Sequence, residues 1–112
     1  YASFSMSVPR SYAVRFEVDW RPGAIEDVRE LFEYLATNAS LWDAQHVTDR
    51  VLASTDKLVE FPRLYEAAPQ YGEGVRRISI VGQNVLYEVD DEAQTVRVLA
   101  VVGQRQQARK IR

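Results

Sequence analysis

The sequence predicts an α+β, two-layer domain of order β-α-α-β-β-β, an antiparallel sheet with an N-terminal helical hairpin on one face. Three observations predict it. Apolar residues fall at every second position over residues 12–18 and again in three runs after residue 74, the mark of half-buried strands. Residues 22–37 and 41–59 instead carry apolar residues at spacings of three, four and seven, which is one stripe on a helix. The link between these two stretches is so short that the helices must pack as an antiparallel pair.

In chain order, Tyr12, Val14, Phe16 and Val18 alternate with Ala13, Arg15 and Glu17 as the first strand. Asp19 to Gly23 ends it; Asp19 can cap the helix that follows, and Pro22 suits its first turn. Ile25, Val28, Leu31, Phe32, Leu35 and Ala36 stripe the first helix, with Glu26, Asp27, Glu30 and Glu33 on its other side. Ser40 is expected to cap the second helix, with Asp43 three residues on. Its stripe is Leu41, Ala44, Val47, Val51 and Leu58, and Pro62 is expected to stop it near Glu60 or Phe61. Residues 62–74 hold two prolines and two glycines and read as a long loop. Strands at Val75–Val81 and Val85–Val89 flank a turn at Gly82-Gln83-Asn84, and Thr95–Val102 is the last strand. On it, strict alternation puts Val96, Val98, Ala100 and Val102 on one face and Arg97, Leu99 and Val101 on the other. The helices cover one sheet face and leave the other partly open.

A chain of 112 residues is expected to make one domain with its own core. It contains no cysteine, so disulfides and cysteine-zinc sites are excluded and a reducing cytoplasm is the expected location. No apolar run approaches the length of a membrane span, so no membrane partner is expected. Residues 1–11 are expected to be a disordered or cloning-derived N-terminus, with Met6 as the native start. Residues 12–106 form the domain, and residues 107–112 a basic tail. Net charge is −2, but from Arg97 onward there are five basic residues and no acid. A basic end on an acidic body calls for an anionic partner there.

Most familiar chemistry is absent. His46 is the only histidine and stands on the polar side of the second helix among Asp43, Gln45 and Asp49, so it reads as a surface residue. Asp90-Asp91-Glu92 is a turn with too few convergent oxygens for a cation. No metal or cofactor is expected, and there is no phosphate-cradling or nucleophile-elbow motif. The arginines remain. If Ile78 and Ile80 face the helices, Arg77 and Ser79 face the open side, since neighbours on a strand point to opposite faces. Arg105 can approach the same face, and Lys57, Arg63 and Arg76 are candidates to join them in binding phosphate or carboxylate. Metal-free RNA cleavage also needs a base and a leaving-group acid. Neither is evident, and Tyr87 alternates with Val85 and Val89 as a core residue.

The stretches EFPRLYEAAP and GVRRISIVGQNVLYEVDDEAQTVRVLAVVGQRQ, in this order after a helical hairpin, resemble the RelE/ParE toxin family from about Tyr12 to Gln106. The resemblance implies the toxin of a type II toxin–antitoxin system, held inactive by a cognate antitoxin in a hetero-oligomer. It implies one of two targets, DNA gyrase for ParE-like members or ribosome-bound mRNA for RelE-like endonucleases. Arg77 and Arg105 match basic positions of the RelE-like cleavage site and would be its catalytic residues. Asn84 stands where an arginine is usual there, Gln104 or Gly103 replaces a histidine or lysine, and Arg109 or Ile111 lies where a tyrosine is expected. These departures and the long helical hairpin incline the reading toward gyrase inhibition, with the mRNA endonuclease as alternative. A non-toxic binding module of the same fold is a further alternative. The expected antitoxin contact is a groove by Leu99 and Val101 with Arg105 and Arg109, where carboxylates would meet the basic tail.

Overall fold

The computed structural model describes residues 15–105 and residue 111. The expectations for residues 1–14, for Arg109 and for most of the basic tail fall outside these. The element order is β1 (Glu17–Trp20), α1 (Pro22–Asn38), α2 (Leu41–Ala53), β2 (Arg76–Ile80), β3 (Gln83–Asp90) and β4 (Thr95–Gly103), with short 3₁₀ turns at Asp56–Val59 and Pro69–Tyr71. The sheet order is β1-β4-β3-β2. The α+β architecture is as the periodicity predicts, but the sheet is mixed. β2, β3 and β4 are antiparallel, while β1 runs parallel to β4, pairing Glu17 with Thr95 and Trp20 with Val98. α1 continues along β4, with Asp27 at Val101, and α2 returns the chain to the start of β1, where the Phe16 N–H donates to the Val59 carbonyl, so β2 and with it β4 run in the same direction as β1.

α1 starts where Pro22 fixes the backbone for a first helical turn. Its N-cap is Arg21, and no side chain caps it; Asp19 instead pairs with Arg21 at 3.2 Å. The Ser40 cap of α2 forms as expected: its hydroxyl oxygen accepts the Asp43 N–H at 3.0 Å and its O–H donates to the Asp43 carboxylate at 2.8 Å. α2 ends at Ala53, well before Pro62. The Ser54 and Thr55 hydroxyls donate to the carbonyls of Val51 and Leu52. Such local bonds compete with helix continuation, and the chain tightens into the 3₁₀ turn.

The main core lies between the hairpin and one sheet face. Ala24, Val51, Leu58, Ile78, Val85, Tyr87, Val96, Val98 and Val101 are buried there, with Val28, Leu31 and Val47 packed against them. Each fully buried valine or leucine contributes roughly 1.5–3 kcal/mol. β4 departs from strict alternation. The register with β3 shifts between Leu86 and Tyr87: Tyr87 pairs with Val98 and Leu86 with Ala100, which leaves Leu99 as the extra residue of a β-bulge. Beyond the bulge the phase flips, so Val101 points to the helices beside Val96 and Val98, and Ala100 and Val102 point away.

The second face is not bare. Ala68, Tyr71 and Val75 from the 62–75 loop cover Leu86 and Ala100, with Leu99, Val102 and Ile111 packed against them. Ile111 is held there by its N–H, which donates to the Tyr71 carbonyl at 2.9 Å. The second face, expected to be partly open, has its middle covered by the proline- and glycine-rich loop. The β2–β3 turn is also tighter than expected. Ile80 pairs with Gln83, so only Val81 and Gly82 turn, both at positive φ, 44° and 81°. Glycine adopts such values freely; a β-branched valine does so under strain.

Candidate functional site

The candidate site is the second sheet face and the cations around it. On β2, Ile78 is buried toward the helices, so Arg77 and Ser79 share the opposite face with Asn84 and Leu86 of β3, as the sequence predicts. The loop residue Glu66 meets Arg77 twice. Its carbonyl accepts the Arg77 N–H at 3.1 Å, and its carboxylate accepts from the Arg77 Nε at 2.6 Å. Beside this pair, the Ser79 hydroxyl donates to Asn84 Oδ1 at 3.0 Å and Asn84 Nδ2 donates to the Tyr71 hydroxyl at 3.4 Å. Asn84 is only 4% exposed. The position therefore lends no charge to the surface.

The remaining cations do not gather around Arg77. Arg76 points to the helix side, where it donates to the Tyr65 carbonyl at 2.7 Å. Arg63 makes a two-pronged bond to Asp91 at 3.0 and 2.7 Å, tying the loop after the helices to the β3–β4 turn. The Arg63 guanidinium holds the Asp91 carboxyl below the usual carboxylate range. Lys57 is exposed on the 3₁₀ turn after α2. Arg105 is exposed just past β4, where Gly82, Gln83, Gly103 and Gln104 form an open depression with it of about 490 Å³. This is the β2–β3 turn end of the sheet, whereas Arg77 lies toward the other end of β2. Among the described residues Arg105 has no ion-pair partner. The joint cluster of Lys57, Arg63, Arg76, Arg77 and Arg105 is thus not assembled.

Of the two apolar residues expected in a partner groove, Leu99 is half-buried at the bulge on the second cluster, while Val101 is 7% exposed and belongs to the main core. The shared face assigned to them is corrected by the bulge. Sequence reasoning also missed the partners that neutralise the arginines. Glu66 and Asp91 lie 11 and 28 residues from theirs, and no local pattern announces such pairs. A third ion network closes the far end of the same face. Arg97 reaches Asp90 at 2.8 Å and Glu88 at 3.5 Å, and the Ala93 N–H and the Arg97 guanidinium together hold Asp90 below its ordinary value. Among the described residues no group of three His, Asp or Glu side chains converges, and no helix is long and apolar enough to cross a membrane.

No curated protein sequence matches the chain. Among solved structures, the chain is similar to the chromosomal ParDE toxin–antitoxin system of P. aeruginosa, with a TM-score of 0.71 at 12% identity, over 81% of this chain and 98% of that one. It is similar to the RelBE2 toxin–antitoxin complex of Mycobacterium tuberculosis, with a TM-score of 0.61 at 20% identity, over 83% and 95%. The intact E. coli RelBE toxin–antitoxin complex gives 0.59 at 18%, over 81% and 99%. At these identities the likeness is one of fold. The family model described as the ParE toxin of the type II toxin–antitoxin system parDE matches residues 18–108, from the second residue of β1 to beyond the end of β4. The chain therefore belongs to the ParE toxin family of type II toxin–antitoxin systems.

Proposed function

We propose that the chain is a ParE-like growth-inhibiting toxin that acts on DNA gyrase, cuts no RNA itself and is neutralised by a cognate antitoxin. The observation that carries this reading is the pairing of Arg77 with Glu66. A metal-free ribonuclease must hold several uncommitted cations around a phosphate whose charge grows in the transition state. Here Arg77, near one end of the edge strand β2, is neutralised by its own chain, Asn84 is buried, and Arg105 stands at the other end of the sheet. The family match over residues 18–108 supports the same choice. Ribosome-dependent mRNA cleavage by Arg77 and Arg105 is the competing reading.

For the antitoxin, Arg105 and Leu99 remain the contacts of choice. Arg105 is exposed beside an open depression, and a carboxylate of the partner would supply the ion pair it does not make within the described chain. Val101 is withdrawn from that surface because it is core. The test is to induce the chain alone in bacteria and follow mRNA and DNA together. Gyrase-linked DNA breaks with intact mRNA support the proposal. Rapid codon-linked mRNA cuts replace it with the nuclease, and undisturbed growth rejects both.

A further inference from the structure

The hairpin tip carries apolar surface that neither sheet face explains. Tyr34 of α1 is 63% exposed, and Leu41 and Trp42 of α2 are 59% and 67% exposed. All three lie at the end where Ala39 and Ser40 join the helices. The main core draws on Ala24, Val28 and Leu31 of α1 but on nothing beyond Leu31, so this end of the hairpin extends past the packed layer. Lone exposed apolar residues are ordinary. Two large aromatics beside a leucine at one hairpin end are not, because tyrosine and tryptophan are enriched in protein–protein contacts relative to the rest of the surface. Trp42 is also pre-set. The His46 ring stacks on it with centroids 4.6 Å apart and planes 11° from parallel, so less rotamer freedom is lost when a partner binds.

The charge around the tip selects the partner. Glu33 and Asp43 are the charged residues nearest the tip, and the hairpin as a whole, residues 22–53, holds six acids against two arginines, Arg29 and Arg50. Arg29 is already neutralised by Glu26 and Glu33. An acidic hairpin disfavours phosphates and the acidic segment expected at Arg105, and favours a partner that brings cations. We propose that the hairpin tip is a separate protein-docking element in which Tyr34, Leu41 and Trp42 enter an apolar recess bordered by lysine or arginine on the toxin's protein target. This rests on the gyrase reading for the identity of the target, but not for the existence of the surface. Because Glu30 and Leu31 of α1 lie beside Gln83 and Gly103, the tip projects past the sheet end that carries Arg105: the molecule then presents two neighbouring surfaces there, a cationic one at Arg105 for the antitoxin and an acidic, aromatic one for the target.

The experiment compares the full wild-type chain with the double variant Tyr34→Ala/Trp42→Ala and with Glu33→Lys, by growth arrest on induction and by inhibition of purified DNA gyrase. Thermal unfolding checks that the variants fold, which the exposure of all three positions predicts. The expected result is a loss of potency of about tenfold or more for the double variant and a smaller, salt-dependent loss for Glu33→Lys, with unchanged melting. A double variant that arrests growth as the wild type does overturns the docking surface. If the wild type arrests growth without touching gyrase, the gyrase reading fails and the growth-arrest comparison alone decides the tip. If light scattering shows that the double variant merely turns a dimer into a monomer, the tip is a self-contact and the proposal is wrong. A wild type that arrests nothing removes both.

Discussion

Glu66 holds Arg77 by two bonds at once, the carboxylate on the side chain at 2.6 Å and the carbonyl on the backbone N–H at 3.1 Å. The loop that covers the sheet face therefore also supplies the counter-ion for the cation of its edge strand β2. An incoming phosphate or carboxylate must displace Glu66 or leave Arg77 alone.

Glu66→Gln should free the guanidinium while keeping the backbone bond. The expected outcome is later elution from a heparin column, an immobilised polyanion, than the wild type shows. Stability should change by no more than about 1 kcal/mol, because the Glu66 side chain is 61% exposed and exposed pairs contribute little. Unchanged elution would mean that Arg77 is not accessible to anions even when unpaired.

Asp27 performs a structural task usually left to a neighbouring strand. β1 ends opposite Val98, so among the described residues β4 beyond the bulge has no strand on that side. There the Asp27 carboxylate accepts the Val101 N–H at 2.9 Å. Asp27→Ala leaves that half-buried N–H without its acceptor and should cost about 1–3 kcal/mol in urea unfolding. Asp27→Asn, which keeps an acceptor oxygen, should cost less. Equal loss in the two variants would count against the bond.

The bulge gives a second stability test. Val101 is core, so Val101→Ala should cost about 2 kcal/mol through lost burial and a residual cavity. Leu99→Ala, at the half-buried bulge position, should cost less despite removing the larger side chain. The reverse order in a denaturation series would restore the strict alternation that the sequence suggests.

Periodicity made the two helices and most of their core-facing stripes legible, though Ile25 and Leu41, counted in those stripes, are exposed and Leu58 is buried from the turn after α2; Ser40 with Asp43 marked one helix start correctly. Three features were not legible, each for a physical reason. A β-bulge inverts facing with a single extra residue, and nothing about Leu99 distinguishes it from its neighbours. The direction of β1 depends on how the hairpin returns the chain, not on its own residues. Glu66 and Asp91 find their arginines only after the 62–75 loop has folded back. The positions of Arg77 and Ser79 on one face were readable from Ile78 and Ile80, while the commitment of Arg77 to Glu66 was not.

Titration should affect stability from both ends. Asp90 and Asp91 have carboxyls held below the ordinary range, Asp90 first by the Ala93 N–H and then by Arg97, Asp91 by Arg63. A depressed folded value stabilises above the ordinary carboxylate pKa of about 4 and is lost as pH falls through the folded value. Asp91→Asn should therefore flatten the acid limb of the melting curve. At the alkaline end, burial pushes the Tyr87 phenol up. Its contribution is intact below the ordinary tyrosine value of about 10 and fades as pH rises through the folded one.

The Tyr87 hydroxyl is buried with no hydrogen-bond partner among the described residues, so Tyr87→Phe should be neutral or slightly stabilising at pH 7 and should remove the alkaline sensitivity. A loss above about 2 kcal/mol at pH 7 would reveal a bond to that hydroxyl, since leaving a buried partner unpaired costs on that order.

The most direct check on the gyrase reading is a supercoiling assay with purified components: DNA gyrase, ATP, relaxed plasmid and the full chain, with a ribosome-bound mRNA incubated in parallel. Inhibition or gyrase-linked cleavage of the plasmid that rises with chain concentration, beside intact mRNA, is the expected result. Cleaved mRNA beside fully active gyrase would contradict it.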